Sequence, residues 1–270
     1  MSNPNIRTDE FSSNDQIQIG DGTCLKITHI GTTSISNSSS TFLLFKGLVF
    51  QTTEKLQHMG FVGSKADNSL FTLHKTDFSI FLLIYVDDII ITGTCSAEIN
   101  LVIQQLGSIF PVKDLGKLSY FLGVEVLFDG HDLYLSQRKY VANLLQRVNM
   151  HEAKPCSTPM STTYALSKYD GTDFSNLQLY RSTVGALHYL DFTRPDIAFA
   201  VHRVSKFMHQ HKNIHWQAVK CIIRYLKFTV GYALHFHNNS DHSLQGFSDA
   251  DWAADKDDRR SVGAYCIFHG

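Results

Sequence analysis

Two adjacent carboxylates interrupt the most apolar stretch of this chain. Residues 78–92 read Phe-Ser-Ile-Phe-Leu-Leu-Ile-Tyr-Val-Asp-Asp-Ile-Ile-Ile-Thr, with Asp87 and Asp88 in the interior. A run this apolar normally marks a buried strand pair. A charge buried within one costs several kcal/mol, on the order of 5, unless it is paired or bound to a metal. The chain is therefore expected to turn at the acids, with strands over 79–86 and 89–92 and Asp87-Asp88 at the tip. Two readings of that tip stay open. It is an exposed turn, because aspartate suits turns whatever the function. Or it is a divalent-cation site for phosphoryl transfer, because carboxylate oxygens are hard ligands. From the two acids alone the exposed turn is the more economical.

The rest of the chain is that of a folded protein. Hydrophobic residues make up 43% and charged residues 18%, and the net charge is −1, which excludes a disordered or acidic solvating chain. The length of 270 residues suits one large domain or two small ones. Five scattered cysteines without a C-x-x-C pair speak against a disulfide framework or a cysteine zinc site and for a reducing, intracellular setting, in the cytoplasm or the nucleus. The N-terminus carries no apolar leader, and the run 78–86 is too short to span a bilayer, so no membrane partner is expected. Residues 1–45 are rich in Ser, Thr, Asn and Gly. Around Gly20-Asp21-Gly22 they suggest a marginal hairpin of 16–19 with 25–30. Helical periodicity predicts helices at 54–60, 97–110, 138–148, 180–190, 196–209 and 214–229, the last stopped by Gly231. Hairpins are expected at 121–135 and after Phe247, and 156–176 reads as a linker.

Several strings carry a resemblance. Tyr85-Val86-Asp87-Asp88 between apolar strands resembles the polymerase motif of reverse transcriptases. The segments Phe61-Val62-Gly63-Ser64-Lys65-Ala66-Asp67, Val112-Lys113-Asp114-Leu115-Gly116 and Tyr120-Phe121-Leu122-Gly123-Val124-Glu125-Val126 resemble blocks of the copia-type long-terminal-repeat retrotransposon Pol polyprotein. So do Leu135-Ser136-Gln137-Arg138-Lys139-Tyr140, Tyr180-Arg181-Ser182-Thr183-Val184-Gly185 and Thr193-Arg194-Pro195-Asp196-Ile197-Ala198. The strings follow the family order over residues 48–270.

The resemblance implies an α+β fold. Residues 47–160 would form a partial reverse-transcriptase palm with the YVDD β-hairpin, and 161–243 a helical thumb or connection region. Residues 244–270 would be a truncated ribonuclease H-like start, and 1–46 a partly disordered remnant of the protease region. It implies RNA-directed DNA polymerase chemistry on an RNA/DNA template-primer, with Asp87 and Asp88 as catalytic ligands of magnesium, or of manganese in its place. It also implies that something is missing. The family uses a third palm aspartate on an earlier strand, and a nucleotide-holding loop, and neither string occurs here. Two magnesium ions about 4 Å apart repel by roughly 16 kcal/mol at an effective dielectric near 20. Two carboxylates answer four positive charges with two negative ones. The expectation is weak or absent metal and little or no polymerisation unless another Pol fragment completes the site in trans. Lys113 stands where a general acid to pyrophosphate would lie, though an ordinary surface lysine is the simpler reading. Asp249, in Phe247-Ser248-Asp249-Ala250-Asp251, resembles the first metal carboxylate of the ribonuclease H domain, whose further ligands are expected beyond Gly270.

One further segment invites a functional reading. Between Ile197 and Ser240 there is no Asp or Glu, while six cations, Arg203, Lys206, Lys212, Lys220, Arg224 and Lys227, are present. Lys220, Arg224 and Lys227 share one helical face. A solvated polar face accounts for them, and so does nucleic-acid binding through phosphates. The three histidines His209, His211 and His215 lack a completing acid or cysteine, so a zinc site there is not expected. Beside the polymerase fragment two other readings remain: a non-catalytic nucleic-acid-binding module, and a transposon relic without function.

Overall fold

The computed structural model describes residues 49–269 apart from 87, 131, 162–165, 238–242 and 254, and the backbone of strands at 7–8, 16–18, 24–26, 31–32 and 39–45. Two compact units result, one built chiefly from residues 26–119 and one from 120–270. The division falls at residue 120 and not near 160. The hairpin expected at the N-terminus is seen as a pairing of Gln16–Gln18 with Cys24–Lys26, its turn lying outside the described residues.

The first unit is a six-stranded sheet. Its strands are β1 (Ser39–Phe45), β2 (Val62–Gly63), β3 (Leu70–His74), β4 (Ser79–Tyr85), β5 (Asp88–Gly93) and β6 (Val112–Lys117). They run in the order β6-β1-β5-β4-β3-β2, every pair antiparallel. Helix α1 (Val49–His58) precedes β2, and α2 (Ser96–Ile109) links β5 to β6. The expected boundary at residues 46–47 thus falls between β1 and α1, and the sheet crosses it. A segment of the part expected to be partly disordered supplies an internal strand. Period-two alternation gives the sheet two unlike faces. Ile80, Leu82, Ile84, Ile89 and Ile91 are buried in one core with Ile99, Val102 and Leu106 of α2. Phe81, Leu83, Ile90 and Thr92, on the other face of the same strands, are only half-buried.

The second unit joins a small sheet to a helical core. The sheet has the order β7-β8-β9-β10, from Tyr120–Phe121, Val124–Asp129, Asp132–Ser136 and Leu234–Phe236. Helices α3 (Arg138–Arg147), α4 (Leu177–His188), α5 (Ala198–Ser205) and α6 (Asn213–Phe228) pack on one another. A 3-10 turn at Pro195–Ile197 shortens the helix expected at 196–209. α6 closes on Thr229, whose N–H donates to the Tyr225 carbonyl, and not on Gly231. The expected linker packs too, for Leu166 and Ser167 are buried. β11 (Leu244–Ala250) and β12 (Gly263–His269) form the expected C-terminal hairpin. No helix among the described residues is long and apolar enough to cross a membrane.

Candidate functional site

The acid pair does not sit at the tip as a unit. Tyr85 and Asp88 are the last register partners of the β4–β5 hairpin, so Asp88 belongs to the strand and not to the turn. Asp87 lies outside the described residues. A two-residue hairpin needs left-handed backbone at its turn. Val86 supplies it at φ 54°, an unfavourable conformation for a β-branched residue, while 61% exposed and adding nothing to the core. The one-residue offset decides which face Asp88 occupies. It lies in register with Tyr85, on the half-exposed face, opposite Ile84 and Ile89 of the core.

That face carries a row crossing four strands. Lys113 of β6 pairs with Leu44 of β1, Leu44 with Asp88 of β5, and Asp88 with Tyr85 of β4. Directly paired residues of antiparallel strands share a face. Lys113, exposed, is therefore two strand spacings from Asp88, about 10 Å. Leu44 is thus the neighbouring-strand register partner of Asp88. Among the described residues no set of three His, Cys, Asp or Glu converges there. Asp249 is exposed on β11 opposite Ala264, again with no convergent set of three ligands among the described residues.

The basic residues are largely engaged by their own fold. Arg224 Nε donates to the Lys154 carbonyl at 2.6 Å, and Lys227 Nζ to the Ala153 carbonyl at 2.9 Å. Lys206 Nζ lies 3.2 Å from Asp255 Oδ2. Arg203 stacks over Phe199 at 5.8 Å, and Lys220 is half-buried. Two cations of the acid-free stretch pair with acids from elsewhere in the chain, Lys206 with Asp255 and Lys212 with Asp173. Burial lowers the affinity of His211 and His215 for protons, the Arg181 charge adding to the effect at His211. His215 uses both ring nitrogens, accepting from the Lys212 N–H and bonding the Ser167 carbonyl.

The string Thr193-Arg194-Pro195-Asp196 shows a role that the sequence did not reveal. Arg194 is 3% exposed and grips Asp196 twice, at 2.9 Å and 2.7 Å, while its other donors reach the Thr229 carbonyl and hydroxyl. Tyr225 donates to the same carboxylate at 2.8 Å. Burial pushes the Asp196 pKa up, but the Arg194 and Tyr225 bonds and the Arg194 charge outweigh it and hold the group below its ordinary value. Thr193 donates to Gln137 at 2.6 Å, fastening the same corner to the start of α3.

Comparison with known proteins agrees with this picture. A family model described as reverse transcriptase (RNA-dependent DNA polymerase) matches residues 47–162. The chain is 45% identical over 212 residues to the retrovirus-related Pol polyprotein from transposon RE1 of Arabidopsis thaliana, covering 78% of this chain and 14% of that protein. The chain belongs to the reverse transcriptase family of Pol polyproteins. The Pol polyprotein from transposon TNT 1-94 of Nicotiana tabacum is 42% identical over 195 residues, covering 69% of this chain and 15% of that protein. An uncharacterized mitochondrial protein of A. thaliana, AtMg00810, is 41% identical over 196 residues, covering 71% of this chain and 79% of its own length. This reverse-transcriptase-like chain thus spans about one seventh of the length of the Pol polyproteins it matches. No solved structure matches it.

Proposed function

We propose that the first unit is a partial copia-type reverse-transcriptase palm that no longer polymerises, and that the helices of the second unit are its thumb or connection. The ancestral chemistry is nucleotidyl transfer from a template-primer, for which magnesium would supply charge neutralisation at the transferred phosphate. The residues that would hold it are Asp87 and Asp88. The observation that carries the reading is Leu44 in register with Asp88, where a bridging carboxylate is required. In this reading Lys113 is an ordinary surface lysine, and Asp249 on the ribonuclease H-like hairpin holds no metal alone.

Primer extension on an RNA template, with magnesium or manganese, tests it. The expected result is no extension above background. Extension that vanishes in Asp88→Asn overturns it. Extension restored only on adding the remaining Pol segments as a separate chain would mean completion in trans.

Nucleic-acid binding without catalysis is a second reading. It rests on Arg203 and Lys220, which among the described residues carry no ion pair or carbonyl bond, and on Lys206 if Asp255 releases it. The test is binding to a template-primer duplex at several salt concentrations.

A further inference from the structure

We propose that Asp132, His235 and His237 form a binding site for a first-row transition-metal cation of the zinc type. His235 and His237 stand two residues apart on and just after β10, and so project from one face of the strand. Tyr134 is the register partner of His235, and the same pairing carried one step further sets Asp132 opposite His237. The Asp132 Oδ2 atom lies 2.8 Å from His235 Nε2 and 3.3 Å from His237 Nδ1, and all three ligand atoms fall within 4.8 Å of one another. It is the one such convergence of three among the described residues.

The spacing suits a tetrahedral ion. Bonds of about 2.0–2.1 Å put neighbouring ligand atoms roughly 3.3 Å apart. The His237 contact is already there, and the His235 contact must open by about 0.5 Å, a small rotation for partly exposed side chains. The His235 ring is held in place by stacking on Tyr134, with centroids 4.3 Å apart and planes 7° from parallel. A water would complete four-coordination beside these three ligands.

The donor set selects the metal. Two imidazole nitrogens and one carboxylate favour zinc, nickel or copper over magnesium, which prefers oxygen ligands and keeps its waters. The site is thus chemically distinct from the acids of the YVDD hairpin. Its place suggests a structural clip. Asp132 and His235 are 103 residues apart, and the helices α3 to α6 lie between them. A bound ion would fix the three-residue return strand β10 to the β8–β9 hairpin and hold both ends of the helical segment together. Closing so long a loop by a crosslink is a large constraint on the unfolded chain.

Titration of the full chain, stripped with chelator, with zinc chloride in a calorimeter tests the proposal. The expected result is one saturable ion per chain and a rise of several degrees in the thermal midpoint. Cobalt in place of zinc should give the visible absorption of a four-coordinate ion, and the His235 and His237 ring signals should shift in the NMR spectrum of the unmodified chain. His235→Ala and His237→Ala should each weaken binding tenfold or more, while His202→Ala leaves it unchanged. Absence of saturable binding overturns the proposal. So does undiminished binding in the double variant, or ring signals of His235 and His237 that do not respond. The NMR readout stands even if a variant fails to fold.

Discussion

Replacing Arg194 by alanine should cost the helical unit about 3–5 kcal/mol, the range for stranding one partner of a buried ion pair. The structure sets where in that range the loss falls. Asp196 is 33% exposed at its side chain, so its abandoned charge recovers some water, which favours the low end. Thr229, 1% exposed, loses the Arg194 donors, but its carbonyl keeps the Tyr232 N–H at 3.0 Å and its hydroxyl still donates to the Tyr225 carbonyl at 2.9 Å. No acceptor there is left bare, so the full penalty for an unpartnered buried group does not apply and the loss should lie near the low end, about 3 kcal/mol. At about 2–4 °C per kcal/mol for a unit of this size the thermal midpoint should fall by roughly 10 °C. Urea unfolding followed by tryptophan fluorescence is the assay. Both tryptophans lie in the second unit, Trp216 against the core and Trp252 93% exposed, so Trp216 supplies the change in signal. Asp196→Ala and the double variant complete a cycle whose coupling should be about 1–3 kcal/mol. A loss below about 1 kcal/mol in Arg194→Ala, or a double variant equal to the sum of the singles, would refute the reasoning.

Other consequences are as direct. The pKa values of His211 and His215 are lowered by burial from 6.5, so the unfolded chain binds protons that the folded one refuses. Stability is then fully present above pH 6.5 and falls as the pH drops below it, by up to about 1.4 kcal/mol per pH unit for each histidine until the folded values are passed. Urea midpoints between pH 7.5 and 5 check this, and a flat profile contradicts it. Val86→Asn should stabilise the first unit by about 0.5–1 kcal/mol, since asparagine tolerates left-handed backbone and the valine is exposed; thermal melts by circular dichroism read it, and a loss of 1 kcal/mol tells against it. A methyl group added at Gly93 would lie 2.5 Å from the Ser79 carbonyl oxygen and 3.2 Å from Ile80 Cα, so Gly93→Ala should cost about 1–3 kcal/mol in the same melts. If the template-primer is bound at all, the log–log salt slope should be near −2, for Arg203 and Lys220, and not the roughly −5 expected of a free six-cation face.

The elements were legible where local chemistry fixes them. The α2 period, the Ser79–Tyr85 apolar alternation and the Gly130 turn each follow from residues close in sequence. What stayed illegible was non-local. No periodicity in Ser39–Phe45 tells that its register partners are residues 88–93. A count of acids over 197–240 cannot see Asp173 and Asp255, which the fold brings to Lys212 and Lys206. The same holds for Arg194, whose partners at Thr229 and Tyr225 lie a helix away, and for His235 and His237, whose acid is 103 and 105 residues earlier. The hairpin closes one residue earlier than expected, with Val86 in unfavourable left-handed backbone, because pairing across the strands and not local turn preference sets the Tyr85–Asp88 register.

On the function proposed above, the Leu44 row would let the sheet outlast the chemistry that shaped it. Aspartate is depleted in strands and leucine is not, a preference of up to about 1 kcal/mol in a host sheet. A carboxylate beside Asp88 would face a like charge across a strand pair, which is destabilising until cations arrive. Leucine removes both penalties, so folding alone favours it there. Metal binding runs the other way. Besides losing a bridging ligand, each divalent ion at Asp88 would feel Lys113 on the same row, about 10 Å off, by roughly 3 kcal/mol at an effective dielectric near 20, less when screened. The register that keeps six strands paired therefore makes no demand that the active centre survive. On the function proposed above, a single apolar residue at one register position would favour the sheet at the expense of the metal site.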